Sequence, residues 1–203
     1  MDSHESSQLL VVDVDGTLCS VDTLRILRWR WRVQHPLKVL QLKQWRSISK
    51  QFEKIQLWEE VGFSCSPVHN RAVVEVIREW LSNENKVIVV SGSASHLAEW
   101  ATEGFSNVES FGSTLAINLT KKSKADFLTD NFPNCCITYI GDSPDDLHVW
   151  EKSCSAIYIR NRKLSGIEIV TKNNSVRSIS NVSLLSRIFI WMKLFFSSNS
   201  SSE

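Results

Sequence analysis

The sequence predicts an α/β fold: a Rossmann-like, doubly wound parallel sheet with a small helical cap inserted after the first strand. Three observations carry that reading. Short apolar, β-branched runs recur at Leu9 to Val12, Val87 to Val90, Cys135 to Ile140 and Ala156 to Ile159, as expected of strands buried on both faces. Amphipathic helical patterns separate these runs, so strand and helix alternate along the chain. Three of the runs lead directly into polar residues, Asp13, Ser91 and Asp142, and the carboxyl ends of parallel strands are where open α/β sheets bind ligands.

The first strand runs into Asp13, Val14, Asp15, Gly16 and Thr17. Two carboxylates one residue apart at the end of a buried strand repel unless a cation or a proton lies between them. Gly16 allows the tight turn beside them.

Residues 20–66 have a different character. They hold Trp29, Trp31, Trp45 and Trp58, half of the eight tryptophans. Nine cations (Arg25, Arg28, Arg30, Arg32, Lys38, Lys43, Arg46, Lys50 and Lys54) face only Asp22, Glu53, Glu59 and Glu60. Leu24, Leu27 and Trp31, then Val39, Leu42 and Trp45, fall at helical spacing, with a break at Pro36, so two or three helices are expected. The tryptophans suit packing or ligand contact. The cations suit a solvated face, a hold on an anionic substrate or a membrane surface.

Pro67 marks the return to the core, and Val73, Val74, Ile77, Trp80 and Leu81 give an amphipathic helix ending near Asn83. The second strand enters Ser91, Gly92 and Ser93, read as a hydroxyl-rich turn whose amides and following helix dipole suit an anion. A short strand is expected near Val108 to Phe111, then a helix opened by Lys121, Lys122 and Lys124. The next strand ends in Gly141, Asp142, Ser143, Pro144, Asp145 and Asp146, and Ala156 to Ile159 is read as the last strand. The organisation expected is thus a core over 8–19 and 67–161, a cap over 20–66, and a tail over 162–203. The tail contains an apolar helix, 184–196, carrying Arg187 and Lys193, and ends in Ser and Asn residues read as disordered. That helix is too short to span a bilayer and suits docking on the core or lying on a membrane.

Composition narrows the function classes. A chain of 203 residues with a formal net charge of +1 is not built around a nucleic-acid partner. Five cysteines, odd in number and without CxxC spacing, predict reduced thiols, and the histidines show no ligand spacing. The N-terminal MDSHESSQ lacks the features of a signal peptide, and no apolar run reaches ~18 residues. A cytoplasmic protein is expected, with peripheral contact at the inner membrane face through 184–196 and the basic cap left open. Oligomeric state also stays open.

Strands of one parallel sheet open at one edge, so Asp13, Asp15, Ser91, Asp142 and Asp146 should converge there, with the helix-start lysines approaching from the side. Carboxylates gathered with few neutralising groups form a hard oxygen site suited to Mg2+. A phosphate completes it: the Ser91 hydroxyl and the Gly92 loop amides hold its oxygens, a lysine offsets its charge, and an aspartate attacks phosphorus. Asp146, one turn along from Asp142, is favoured over Asp145 as a supporting acid.

DVDGT at 13–17, SGS at 91–93, Lys124 ahead of a helix, and GDSPDD at 141–146 resemble, in order and spacing, the four motifs of the haloacid dehalogenase (HAD) superfamily of phosphatases. The resemblance covers residues 8–160. It implies Asp13 as nucleophile, Asp15 as general acid and base, Ser91 as a phosphate ligand and Lys124 as the brace of nucleophile and phosphate. It also implies Mg2+ held by Asp13, Asp142 and the Asp15 carbonyl, with Asp146 in support, and it places the family's helical cap at the tryptophan-rich insert. Thr120 stands where the pattern has lysine, and among the neighbouring Lys121, Lys122 and Lys124 the resemblance favours Lys124. The sequence is most similar to the HAD domains fused ahead of UbiA-type prenyltransferases, through DVDGTL, His35 with Pro36, Asn118 with Leu119, and GDSPDDLHVW. The expected activity is Mg2+-dependent hydrolysis of a phosphomonoester, a small phosphorylated metabolite or a prenyl-linked phosphate, through an aspartyl-phosphate. A phosphotransferase, or a non-catalytic membrane-associated binding module on the same scaffold, are the alternatives.

Overall fold

The computed structural model describes residues 7–161 and 164–197. At its centre is β1 (Ser7–Val12), in which Leu9, Leu10, Val11 and Val12 are fully buried. Burying one such side chain is worth about 1.5–3 kcal/mol, so a strand with apolar groups on both faces must lie inside. It does: β1 pairs in parallel with β2 (Lys86–Ala94) on one side and β4 (Cys135–Gly141) on the other, Leu9 lying opposite both Lys86 and Ile137. The sheet continues outward to β3 (Val108–Ser113) beside β2, and to β5 (Ser155–Arg160) and β6 (Ser175–Ser180) beside β4. The resulting order, β3-β2-β1-β4-β5-β6, is parallel throughout and doubly wound, as expected.

Alternate side chains of β1 feed two cores, because successive residues point to opposite faces. Leu10 and Val12 pack with α1 (Thr23–Gln34), α4 (Arg71–Ser82) and α5 (Ser95–Ala101) through Leu27, Ile77 and Leu97. Leu9 and Val11 pack with α6 (Lys121–Asn131) and α7 (Leu147–Trp150) through Leu128 and Trp150.

Three sequence expectations change. Ala156 to Ile159 does not end the sheet: β6 adds a sixth strand in register, Ile157 opposite Arg177. Only Ile179 of β6 is buried, so an edge strand with one inward side chain carries almost no apolar signal. Ser91, Gly92 and Ser93 do not form a turn; β2 continues through them to Ala94, with a register shift against β3 between Val90 and Ala94. The cysteines are not all reduced thiols: Cys136 and Cys154 form a disulfide across the β4–β5 edge, with Cα atoms 5.6 Å apart, while Cys19, Cys65 and Cys135 are free. Their separation of 18 residues gives no local signal; the sheet register brings them together.

The insert forms α1, a short 3-10 turn at Pro36–Lys38, α2 (Val39–Ile48) and α3 (Lys50–Val61). Asp22 and Ser49 accept the first free amides of α1 and α3, from Arg25 and Phe52, both at 2.9 Å. Trp31 and Trp45 are buried and meet edge to face, and Trp58 packs on Phe63 and Trp100, so these three serve packing. Glu53 is buried and accepts two hydrogen bonds from Arg28, at 2.8 and 2.9 Å, which ties α1 to α3.

The C-terminal apolar helix, α8 (Leu184–Phe196), lies against α1. Ile190 and Leu194 are buried there, and Arg30 donates to the Leu194 carbonyl at 3.0 Å and to Ser197 Oγ at 2.8 Å. Arg187 donates to the Ser20 carbonyl at 3.1 Å. One face of α8 is therefore docked and the other is not. No helix among the described residues is long and apolar enough to cross a membrane. The Ser and Asn residues read as a disordered end fall at 198–203, outside the described residues.

This docking predicts an asymmetric response along one helix. Leu194→Ala should lower unfolding stability by about 2–5 kcal/mol, while Phe189→Ala, on the exposed side, should change it by less than about 0.5 kcal/mol. Urea denaturation of the two variants checks this.

Candidate active site

The carboxyl edge of the sheet is closed by four segments that reach it from different strands. Asp13 follows β1, and its amide donates to the Ile140 carbonyl at 3.0 Å, holding it beside the end of β4. Gly16 turns the chain with φ +80, and a side chain there would meet the Asp142 carboxylate within 2.4 Å. Only glycine lets the first loop and the β4 loop approach so closely. Gly141 is equally constrained, since a Cβ would lie 2.6 Å from Asp146 Oδ2. At Gly92 a Cβ would lie 2.7 Å from the Thr120 methyl, so the loop before α6 packs directly over the end of β2.

The structure brings Asp13, Asp142 and Asp146 together, one carboxylate oxygen from each lying within 4.8 Å of the others. Lys124, from α6, enters this cluster and is almost fully buried. Its Nζ donates to Asp13 Oδ1 at 2.6 Å and to the Tyr139 hydroxyl at 2.9 Å, and lies 3.9 Å from Asp146 Oδ1. Of the three candidate lysines Lys124 is thus the one that reaches Asp13; Lys121 is exposed and faces Asp145 at 3.5 Å.

Asp146 is held in place rather than presented. Its Oδ2 accepts from the amides of Asp142 and Ser143 at 3.1 and 3.0 Å, and its Oδ1 accepts from the Tyr139 hydroxyl at 2.7 Å. Asp142 is oriented from the other side by Asn161, whose amide donates to the Asp142 carbonyl at 2.6 Å. Asp15 points elsewhere: Oδ1 accepts from the Thr23 amide at 2.8 Å and its hydroxyl at 2.5 Å, and Oδ2 accepts from the Ser93 hydroxyl at 2.7 Å. Its side chain stands apart from the three clustered acids. Ser91 is buried, with its Oγ accepting from the Ser93 amide at 3.0 Å.

Asp13, Asp15, Ser91, Lys124, Asp142 and Asp146 line a cavity of about 300 Å³, whose cap side is formed by Asp22, Leu24 and Lys54. Lys54 is a site residue that sequence reasoning missed. It reaches down from α3 and donates to the Gly92 carbonyl, so a cation of the cap lies over the end of β2. No local pattern marks it among the cap's other cations. Tyr139 was missed because, in sequence, it is one more residue of a buried strand. Thr23 and Asn161 became visible only through what they hold.

Burial raises the Asp13 carboxyl from 3.8 to about 7; Lys124 opposes this and Asp146 adds to it. Burial also raises Asp15, with the charge of Asp22 adding, against the lowering effect of its hydrogen bonds to Thr23 and Ser93. For Lys124, burial alone lowers the ammonium, but Asp13 and Asp146 outweigh it and hold it above its ordinary value. One lysine therefore faces three clustered carboxyl groups, an excess of acid over base at the wall of the cavity. A divalent cation with hard oxygen ligands fits that excess, and the donor set of carboxylates suits Mg2+.

No protein-family model and no curated protein matches the sequence. Solved structures do match. One is a protein of unknown function from Bordetella pertussis, with a TM-score of 0.59 at 12% identity, covering 85% of this chain and 98% of that one. A second is a phosphoserine phosphatase in a phospho-aspartyl intermediate analogue, with a TM-score of 0.57 at 14% identity, covering 91% and 98%. A third is a HAD-family hydrolase from Salmonella enterica serovar Typhi, with a TM-score of 0.57 at 10% identity, covering 86% and 70%.

The raised carboxyls predict a pH dependence. The folded chain holds the Asp13 proton more tightly than the unfolded chain, so the contribution of this carboxyl to stability is fully present below about pH 3.8 and is lost as pH rises to about 7. Asp15 acts in the same direction, and Lys124 loses its contribution only above the ordinary lysine range. With chelator present, urea midpoints should fall between pH 5 and pH 8, and Mg2+ should restore more stability at pH 8 than at pH 5. What the solved neighbours share with this protein at such low identity is its fold: a doubly wound α/β architecture around a six-stranded parallel sheet, found also in a phosphoserine phosphatase and a HAD-family hydrolase.

Proposed function

We propose that the protein is a Mg2+-dependent phosphomonoester hydrolase that works through an aspartyl-phosphate on Asp13. The observation that carries this reading is the pairing of buried Lys124 with Asp13 at 2.6 Å, in a cavity also lined by Ser91, Asp15 and Asp142. A carboxylate held by a lysine at the mouth of a parallel sheet is a positioned nucleophile rather than a structural ion pair, because its cavity is open to a ligand.

An Asp13 oxygen attacks phosphorus while the bond from phosphorus to the ester oxygen breaks. Asp15 gives its proton to that leaving oxygen. Its burial, which favours the protonated carboxyl, suits this role, and Thr23 and Ser93 fix its direction. Asp15 then takes a proton from water, the water oxygen attacks the aspartyl-phosphate at phosphorus, and the bond to Asp13 breaks to regenerate the carboxylate. Lys124 offsets charge on Asp13 and on the phosphoryl group, and Ser91 with the Gly92 amide holds phosphoryl oxygens. Asp13, Asp142 and the Asp15 carbonyl would hold Mg2+, which supplies further charge stabilisation for the phosphoryl group. Asp146 keeps Asp142 and Tyr139 in place. The substrate class is a phosphorylated small molecule, with a prenyl-linked phosphate included by the resemblance to the UbiA-fused domains. Lys54 and Leu24 of the cap are the groups placed to meet its non-phosphate part.

Steady-state hydrolysis of an aryl phosphate tests the reading. Wild type should release phosphate with Mg2+ and not with chelator. Asp13→Asn should abolish release while still unfolding in one cooperative urea transition, and Asp15→Asn should lower kcat by about 10²–10⁴. Phosphate release by Asp13→Asn at the wild-type rate would overturn the assignment.

A further inference from the structure

We infer that the face formed by α8 and the outer side of α1 is a docking surface for an anionic lipid bilayer. The docked side of α8 leaves Leu184, Leu185, Ile188, Phe189, Met192 and Phe196 on the opposite side, spaced so that they form one stripe along the whole helix. Leu185 is 78% exposed and Phe189 68%. A helix whose second apolar face meets only water has an unused hydrophobic surface, and patches of this kind mark interaction sites.

The neighbouring charge identifies the occupant. Residues 184–197 contain Arg187 and Lys193 and no acid. Between α1 and α8 runs an apolar groove of about 470 Å³ lined by Trp29, Ile188 and Trp191, with Arg25 and Arg187 at its sides. Directly beside it, sharing Arg25 and Trp29, is a second depression of about 400 Å³ that gathers Arg25, Arg28, Arg32, Lys43 and Arg46. The acids nearby are already engaged: Glu53 with Arg28, and Asp22 as the cap of α1. Five cations around the single acid Glu53, which pairs with Arg28 and Arg46, leave the depression positive, and an apolar groove adjoining it matches an anionic phospholipid, whose acyl region is apolar and whose headgroup phosphate is not. Trp29, 48% exposed between the two, has the amphipathic ring that favours the bilayer interface. An acidic protein groove would meet the cations but leave the full-length apolar stripe in water.

The surface lies beside the reaction cavity, since Asp22 lines both the groove and the site. Neither the stripe nor the cations belong to the site residues, so membrane docking is separable from hydrolysis.

The test is flotation of the full chain with vesicles of phosphatidylcholine alone or with about a third phosphatidylserine. Wild type should float with the anionic vesicles at least roughly tenfold more than with neutral ones, and raising salt from about 0.1 M to about 1 M should release it. Leu185→Glu with Phe189→Glu, and separately Arg32→Glu with Lys43→Glu, should each lower the floated fraction roughly tenfold. All four positions are exposed, and unchanged unfolding midpoints will show that the variants fold, whatever the outcome of the hydrolysis assay. Flotation of the variants at the wild-type level, or no preference of wild type for anionic vesicles, would overturn the inference. So would a concentration-dependent dimer in sedimentation that the Leu185→Glu, Phe189→Glu variant abolishes, because the stripe would then belong to a second copy of the chain.

Discussion

Three carboxylates and one lysine, packed at the carboxyl end of a buried parallel sheet, set the terms for everything around them. Asp13, Asp142 and Asp146 lie close enough to repel, and Lys124 compensates only part of their charge. The surrounding chain is shaped by holding them there. Gly16 and Gly141 leave no room for a side chain because the carboxylates of Asp142 and Asp146 occupy it. Tyr139 passes a hydrogen bond from Lys124 to Asp146, and two backbone amides complete the grip on Asp146. Such an arrangement costs stability in the absence of a counter-ion, which is the usual mark of a site kept for chemistry.

The division of labour between the two first-loop aspartates follows from what each touches. Asp13 shares an oxygen with an ammonium, which works against the burial that raises its carboxyl; Asp15 is raised by desolvation against the lowering effect of its donors Thr23 and Ser93, which suits the proposed role of a group that holds and returns a proton. The cap contributes from above. Its α1 supplies Thr23 to Asp15, and its α3 supplies Lys54 to the end of β2, so motion of the insert would alter both the hold on Asp15 and the cavity wall.

Much of this was legible in the sequence, and for identifiable reasons. The buried runs of β1, β2 and β4 are dense in β-branched residues, and the polar residues that terminate them stand out because a parallel sheet puts all such ends at one edge. Asp13, Ser91, Lys124, Asp142 and Asp146 all line one cavity, as that topology requires. What escaped notice lacked local signal. β6 has one buried side chain and lies at an edge; the Cys136–Cys154 pairing depends on register between neighbouring strands; Lys54 is distinguished from the other cap cations only by where α3 points. The SGS segment was misread as a turn because its glycine and hydroxyls imitate one, whereas β2 runs through it with a register shift.

A phosphoryl group carried on the Asp13 carboxylate would be an acyl phosphate, which can be trapped chemically. The most direct measurement is to quench the protein during turnover of an aryl phosphate with Mg2+, reduce with borohydride, and map the product by mass spectrometry, since borohydride converts an acyl phosphate to an alcohol. The account predicts conversion of the Asp13 carboxyl to an alcohol, dependent on substrate, with Asp15 unmodified. Continued phosphate release with Asp13 untouched, or reduction at a different carboxyl, would contradict it.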